Sequence, residues 1–212
     1  MSAENIYKKL RAAGMSTAGA CGVLGNLMAE SSLVSNIAQR GMTKLTDAQY
    51  TAKFDNAPKS CYRDGVGYGL AQWTFWSRKQ ELSEFANNKR VSVGDETMQV
   101  EFVIHELRKD YSGLFLFLCE TNDLYAATDR VCREFERPAI NNVERRYEYA
   151  KMFERDIGAN IAEKNTAFTP PDLSILVLQA VLVGNGYNVE ITGHKNEQFL
   201  QILQQFVADI GG

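Results

Sequence analysis

Apolar residues recur with helical spacing near the start of the chain, in the segment TAGACGVLGNLMAESSL, residues 17–33. They fall at i, i+3, i+4, i+7 and i+8, which is the spacing of one face of an α-helix. The residues on this face are Ala20, Val23, Leu24, Leu27 and Met28. Either Ser16 or Thr17 can cap the N-terminus of the helix with its hydroxyl group. The segment therefore predicts a helix that packs an apolar face into a core.

Glu30 follows the same helix face and lies near the predicted C-terminal end of the helix. Apolar neighbours withdraw its carboxyl group from water, and the helix dipole disfavours negative charge at this end. Both surroundings favour the protonated acid, with desolvation as the larger effect. A protonated carboxyl group is what a general acid needs in order to protonate a leaving-group oxygen. The alternative is a helix-end glutamate that points into water, because Glu is rarely fully buried.

A glycine-rich segment, DGVGYGLAQWT, follows at residues 64–74. Its glycines alternate at Gly65, Gly67 and Gly69, so that one face of an extended strand carries no side chains. A polymeric ligand can lie against such bare backbone, and the neighbouring aromatic residues offer flat apolar surfaces. The order of the glycines does not match the dinucleotide-binding pattern. The alternative is a hairpin whose glycines serve only its own conformation.

The two segments together resemble a known family. GNLMAESSL followed by GYGLAQWTFWSRKQEL is similar to the lysozyme-like domain of bacteriophage tail lysozymes and endolysins, which is related to goose-type lysozymes and lytic transglycosylases. A looser similarity extends through REFERPAINNVERRYEYAKMF, residues 133–153. The resemblance thus covers the first three quarters of the chain. It implies a mainly α, lysozyme-like α+β fold, in which a helical catalytic domain carries a small β-hairpin.

The resemblance also implies roles for individual residues. The glutamate of the AES segment, here Glu30, is the general acid of that family. The GYGLAQWT segment lines the sugar cleft, and residues beside both segments are assigned to the same substrate site. The substrate-binding set is Ser31, Tyr68, Gly69, Gln72, Trp73, Thr74 and Trp76. Goose-type enzymes place an aspartate just before the glycine-rich segment, which makes Asp64 the candidate second catalytic carboxylate, with Asp55 and Asp47 behind it.

These roles predict an endolysin-type peptidoglycan hydrolase of the muramidase class. In this mechanism Glu30 protonates the oxygen of the β-1,4 bond between MurNAc and GlcNAc, and Asp64 orients a water molecule on the opposite face. Carboxyl groups about 6.5 to 9.5 Å apart are typical of inversion, whereas about 5 Å favours a covalent intermediate. A lytic transglycosylase is the first alternative, since it needs only the glutamate and releases 1,6-anhydro sugars.

Two further alternatives belong to other classes. A non-catalytic virion or wall-binding protein could keep the fold without the chemistry. A cysteine amidase or endopeptidase would need Cys21, near a helix N-terminus, as nucleophile and His105 as its base. No cofactor and no metal site are expected, because the two histidines, His105 and His194, lie far apart and no C-x-x-C pair occurs. Four widely spaced cysteines are expected to be free thiols.

The C-terminal part of the chain predicts a separate small module. Residues 1–158 form the predicted catalytic domain, residues 159–171 a linker ending in two prolines, and residues 172–212 a small helical module. The module resembles, weakly, the three-helix peptidoglycan-binding module. The matching residues are Leu178, Gln179, Gly186, Tyr187, Gly193, Phe199, Leu203 and Phe206. Wall binding and homodimerisation through its apolar helices are both left open.

Net charge and hydropathy restrict the partners. A net charge of −3 gives no broad basic patch, so nucleic acid is not an expected partner. The family resemblance implies bacterial peptidoglycan as the partner. The segment MSAENIYKKLRAAG has no apolar signal-peptide core, and no stretch approaches the length of a membrane span. The chain is therefore expected in the host cytoplasm before its release to the cell wall, without membrane insertion. Association with the virion is the alternative.

Several other segments show helical periodicity. Helices are predicted over residues 5–13, from a Ser77 cap to Ala86, and from an Asp95 cap onward. Two more are expected before Pro138 and before Gly158. Residues 35–63 are polar and are predicted to form an irregular lobe over the cleft.

Overall fold

The computed structural model describes residues 3–140, 142–158 and 197–210, together with Ile175, Leu182 and Tyr187. The chain divides into two compact units, residues 1–161 and residues 162–212. Each unit is described by itself below.

The first unit is built from helices, as the sequence predicts. Its helices are α1 (Ala3–Ala12), α2 (Thr17–Ser31), α3 (Asp47–Asn56), α4 (Lys59–Tyr62), α5 (Trp76–Lys89), α6 (Glu96–Asp110), α7 (Ser112–Glu120), α8 (Leu124–Arg130) and α9 (Val143–Phe153). A π-helical turn, π1 (Val131–Glu136), extends α8, and a second one, π2 (Glu154–Gly158), extends α9. The mainly α class is confirmed.

Helix α2 forms the centre of the first unit. The hydroxyl group of Ser16 caps it by accepting a hydrogen bond from Gly19 N at 2.9 Å. Residues on every side of its first three turns are buried, and α1, α7, α8 and α9 all pack around it. The predicted single apolar face is therefore too narrow a description, since a helix that is apolar all round is a buried helix.

Three glycines let other backbones approach α2 closely. An ideal Cβ at Gly19 would lie 2.0 Å from Leu118 O, and one at Gly25 would lie 2.4 Å from Arg146 O. A Cβ at Gly22 would lie 2.9 Å from the Cβ of Ala127. These contacts leave no room for a side chain. They set the positions of α7, α8 and α9 against α2.

The region between α2 and α5 differs from the expected irregular lobe. It contains α3 and α4, because Thr46 and Gln49 form a capping box that starts α3. The small β-hairpin is reduced to isolated antiparallel bridges, which join Tyr68 with Trp73 and Tyr68 with Ala38. The described residues form no strand beyond these bridges. Gly69 and Gln72 both have positive φ, so the chain turns back within four residues and cannot extend the ladder.

The predicted helix starts are partly confirmed. Asp95 caps α6 by accepting a hydrogen bond from Met98 N at 2.7 Å. The predicted Ser77 cap is wrong, because α5 already begins at Trp76 and Phe75 occupies the cap position without a side-chain hydrogen bond. Among the described residues, no helix is both long and apolar enough to cross a membrane.

The second unit is described at α10 (Glu197–Ile210) and at three residues before it. Ile175, Leu182 and Phe199 are buried in one apolar cluster, to which Phe206 contributes a partly buried ring. The hydroxyl group of Tyr187 is hydrogen-bonded to the Asp209 carboxylate. The predicted linker and half of the residues that match the wall-binding module lie outside the described residues, so that resemblance stays a prediction.

Candidate active site

A cleft of about 1190 Å³ opens on the surface of the first unit. It is lined by Glu30 at the end of α2, by residues of the 37–42 loop and the 65–78 segment, by the C-terminal part of α6 and by residues 135–139. A large concave site with several converging charged groups is the usual location of a ligand or substrate. The cleft is therefore the candidate active site.

Glu30 lies in the last turn of α2, directly before the helix ends. The next two positions, Ser32 and Leu33, both have left-handed backbone conformations, with φ of 53° and 60°. Such conformations are unfavourable for residues other than glycine, and they stop the helix at this point. The Glu30 side chain keeps 19% of its surface exposed and lines the cleft.

Arg146 of α9 holds the Glu30 carboxylate in place. Its Nη2 donates to Glu30 Oε1 at 2.5 Å, and its Nη1 donates to Asn26 Oδ1 at 3.1 Å. Asn26 is itself buried and donates to Gly22 O at 2.8 Å. This chain of hydrogen bonds depends on the close approach of α9 to α2 at Gly25. Because Arg146 is itself held by Asn26, its charged hydrogen bond fixes one orientation of the Glu30 carboxylate.

Glu106 and Arg78 form a second ion pair at the cleft. Arg78 donates from Nε and Nη2 to the two Glu106 oxygens, at 2.7 and 2.9 Å. Trp73 Nε1 also donates to Glu106 Oε2 at 2.8 Å. Both oxygens of this buried carboxylate are therefore satisfied within the protein.

Glu136 is the third carboxyl group of the cleft, and its surroundings differ. It ends the π1 turn, and π-helical turns are frequent at functional sites. Its Oε1 is buried and has no hydrogen-bond partner among the described residues. Burial and then the charge of Glu30 raise the pKa of the Glu136 carboxyl well above its ordinary value.

Asp64, the predicted second catalytic carboxylate, is not among the residues that line the cleft. Its Oδ1 accepts hydrogen bonds from Lys79 Nζ at 2.8 Å and from Val66 N at 3.0 Å, and its Oδ2 accepts from the Tyr50 hydroxyl at 3.0 Å. Partial burial opposes ionisation of Asp64, but the hydrogen bonds from Lys79 and Val66 outweigh it and lower the pKa of its carboxyl. The contacts describe a carboxylate that neutralises a fully buried lysine.

The glycine-rich segment serves packing at three of the predicted substrate-binding residues. The side chains of Tyr68 and Trp73 are fully buried, which leaves neither ring a surface for a sugar. Gly69 lies against the side chain of Gln99, whose Oε1 would be 2.6 Å from an added Cβ. Gln99 is buried and accepts a hydrogen bond from Leu70 N at 2.8 Å. The alternative of glycines that serve the conformation of the segment fits these contacts.

The other predicted substrate-binding residues are divided. Gln72 and Thr74 line the cleft together with Glu30. Ser31 is buried and donates its hydroxyl to Leu27 O at 3.1 Å. Trp76 lies outside the cleft lining, where the Arg63 guanidinium stacks 4.6 Å from its ring centroid.

Several residues that line the cleft, and the Arg146 partner of Glu30, are absent from the predicted site. Phe75, with 62% of its surface exposed, takes the place expected of the tryptophans. Arg78, Glu106 and Arg146 were not singled out, because each acquires its role from a partner far away in sequence. Glu136 had one signal, since the segment Glu136 to Pro138 was already part of the looser resemblance.

The cysteine alternative finds no support in the first unit. Cys21 is a buried free thiol, and burial raises its pKa to about 12. A nucleophilic cysteine needs its thiolate near neutral pH, so Cys21 is an inert core residue. His105 packs beside the rings of Phe85 and Phe102. Within the described residues, no group of three or more His, Cys, Asp or Glu side chains could hold a metal ion.

Comparison with known proteins gives one match. A family model described as phage tail lysozyme matches residues 1–156, which include α1 to α9 and every residue that lines the cleft. No curated protein matches the chain. The chain therefore belongs to the phage tail lysozyme family.

Proposed function

We propose that the cleft cleaves the glycan strand of peptidoglycan at the β-1,4 bond between MurNAc and GlcNAc, with Glu30 as the general acid. The observation that carries this proposal is the position of Glu30. It lies at the end of the central helix, exposed to the cleft and oriented by Arg146, within a domain of the phage tail lysozyme family.

In the proposed reaction, Glu30 gives its proton to the glycosidic oxygen while the bond to the anomeric carbon breaks. The Arg146 guanidinium, hydrogen-bonded to Glu30 Oε1, stabilises the negative charge that Glu30 acquires in this step. A water molecule attacks the positively charged sugar, and its proton returns to Glu30. The products are two glycan fragments, one of which carries a new reducing end.

A lytic transglycosylase is the second candidate, and the placement of Asp64 favours it. Its three hydrogen bonds to Lys79, Val66 and Tyr50 engage both carboxylate oxygens, and it does not line the cleft. With Glu30 alone, the substrate's own 6-hydroxyl group can attack the anomeric carbon and pass its proton to Glu30. The product then ends in a 1,6-anhydro sugar in place of a reducing end.

Peptidoglycan is the proposed partner for both candidates. The wall-binding or dimerising role of residues 172–212 is proposed with it, as is a location in the host cytoplasm before release. Comparing a chain truncated after residue 161 with the full chain for wall binding and for mass in solution tests the role of the second unit.

Mass spectrometry of fragments released from purified peptidoglycan decides between the candidates. Fragments with reducing ends from the wild type, but not from Glu30→Gln, support hydrolysis, and 1,6-anhydro ends support transglycosylation. The control is Glu148→Gln, which removes an exposed carboxylate of α9 outside the cleft. Cleaved peptides or amide bonds, or wall binding without glycan cleavage, contradict the proposal and leave the non-catalytic alternative.

A further inference from the structure

The charged groups around the cleft do not pair completely. Three carboxyl groups, Glu30, Glu106 and Glu136, interact with two guanidinium groups, Arg78 and Arg146. Arg78 is engaged by Glu106 through two hydrogen bonds of 2.7 and 2.9 Å. Arg146 is engaged by Glu30 at 2.5 Å. The buried Oε1 of Glu136 has no hydrogen-bond partner among the described residues.

A buried carboxylate without a hydrogen-bond donor is costly, and the group avoids this cost by keeping its proton. The charged groups that interact with Glu136 come from four helices: Glu30 from α2, Arg78 from α5, Glu106 from α6 and Arg146 from α9. The Cys132 thiol of π1, whose own pKa is raised by burial, is a further titratable neighbour. Since both arginines are bonded to other carboxylates, the net surroundings of Glu136 favour its neutral form.

We infer that Glu136 works as an uncharged carboxylic acid that donates a hydrogen bond to the glycan in the cleft, close to Glu30. This inference rests on the proposed glycan-cleaving function. A protonated carboxyl group has one O–H donor, and Glu136 lines the cleft together with Glu30. Glycan strands carry hydroxyl and acetamido oxygens that can accept this hydrogen bond. Glu136 is thus a substrate-binding residue whose charge state matters.

The inference determines a pH dependence. As the pH rises through the raised pKa of Glu136, the carboxyl group loses its donor and places a second negative charge near Glu30. Glycan binding and cleavage are then lost on the alkaline side. Glu136→Gln keeps a donor group of the same shape and cannot ionise, so it should remove this alkaline limb.

The proton on Glu136 should also affect the stability of the folded protein in the absence of substrate. The pKa of Glu136 is higher in the folded than in the unfolded chain, so the folded state binds more protons between the two values. Stability is therefore lost as the pH rises through this window. Relative to wild type, Glu136→Gln should gain thermal stability at pH 8 compared with pH 5.

The experiment compares wild type with Glu136→Gln, Glu136→Ala and Glu134→Gln from pH 5 to pH 9. Glu134 is the matched control, because it lies in the same π1 turn, pairs with Arg130 and does not line the cleft. The measurements are kcat and KM on soluble glycan fragments and the melting temperature of each variant.

At pH 5 we expect Glu136→Gln to stay within about threefold of wild type, and Glu136→Ala to raise KM about three- to tenfold, as for one lost hydrogen bond. The wild type should then lose activity by about tenfold for each pH unit above the pKa of Glu136, while Glu136→Gln does not. Identical pH profiles and an identical pH dependence of melting for wild type and Glu136→Gln overturn the inference.

Failure of the proposed function gives a different result. If the wild type cleaves no glycan at any pH, that function is wrong, while the melting curves still show whether Glu136 holds a proton. Calorimetric titration with the same glycan fragments then tests whether Glu136 donates a hydrogen bond to the glycan. Equal binding by wild type and Glu136→Ala overturns it, and weaker binding by Glu136→Ala supports it.

Discussion

Asp64 and Glu136 are both carboxyl groups withdrawn from water within one domain, yet the protein treats them in opposite ways. Asp64 accepts three hydrogen bonds and faces the ammonium group of Lys79, which lowers the pKa of its carboxyl. The buried Oε1 of Glu136 accepts none from the described residues, and burial raises the pKa of this carboxyl. The difference teaches that a carboxyl group whose donors are supplied by the fold serves the fold, while one left without donors is available to a ligand.

The largest expected difference between the cleft and the Asp64 cluster is in catalytic activity. The Asp64 cluster consists of Asp64 and its hydrogen-bond partners Lys79, Val66 and Tyr50. Glu30→Gln removes the proton donor and is expected to lower kcat/KM by about 10² to 10⁴-fold. Asp64→Asn should lower it by less than about tenfold at pH 6, because the residue does not line the cleft. Release of labelled fragments from peptidoglycan measures both.

Glu148→Gln is again the control, and circular dichroism verifies that each variant is folded. A loss for Asp64→Asn as large as that for Glu30→Gln, in a folded protein, would restore Asp64 as the second catalytic carboxylate. Asp64 would then no longer be a carboxylate that serves only the fold, and its contrast with Glu136 would not hold.

Stability should respond most to the lysine of the Asp64 cluster. Lys79 is fully buried and donates to Tyr50, Asp64 and Val66 at 2.7, 2.8 and 2.9 Å. Lys79→Met should lower the free energy of unfolding by about 3 to 5 kcal/mol, because Asp64 loses its charged partner. Denaturant unfolding measures this change.

Combining Lys79→Met with Asp64→Asn should recover part of that loss, since the charge left without a partner is also removed. A double variant that loses the sum of the two single effects would show that the two groups are not coupled. The cluster would then no longer explain the burial of Lys79.

The pH dependence of stability gives a smaller, independent comparison. Asp64 has a lowered pKa in the folded state, so its contribution is present above the unfolded pKa of about 3.9 and is lost as the pH falls through the folded value. Asp64→Asn should therefore cost about 1.5 to 3 kcal/mol at pH 7 and progressively less below pH 4. A cost that stays constant down to pH 2.5 contradicts the ion pair with Lys79.

The sequence predicts the fold class and the catalytic helix well, because both depend on local periodicity. The helix predicted within residues 17–33 is confirmed as α2 (Thr17–Ser31), and Ser16 is the one of the two candidate caps that caps it. The sequence does not predict the side-chain contacts of the site, because the partners are distant in sequence. Arg146 lies 116 positions after Glu30, and Glu106 lies 33 positions after Trp73. No periodicity within one segment shows such partners.

The glycine-rich segment shows why a pattern can be identified while its use is not. Alternate glycines permit close approach, but they do not say what approaches. At Gly69 the neighbour is the side chain of Gln99, and at Gly25 of α2 it is the backbone of Arg146. The bridge between Tyr68 and Trp73 closes a tight turn, and both side chains are buried in the core.

Gly25 therefore offers the last and smallest test, which concerns how Glu30 is positioned. A methyl group there would lie 2.4 Å from Arg146 O, so α9 must move away from α2 and draw the guanidinium of Arg146 from Glu30. We expect Gly25→Ala to destabilise the protein by about 1 to 3 kcal/mol and to lower kcat more than it raises KM. Gly113→Ala is the matched control, because nothing lies within 4 Å of its added Cβ in α7. That variant should be stabilised by about 0.4 to 1 kcal/mol with unchanged kcat. Equal behaviour of the two variants would mean that the close approach at Gly25 does not hold the catalytic glutamate in place, and that the orientation of Glu30 comes from α2 alone.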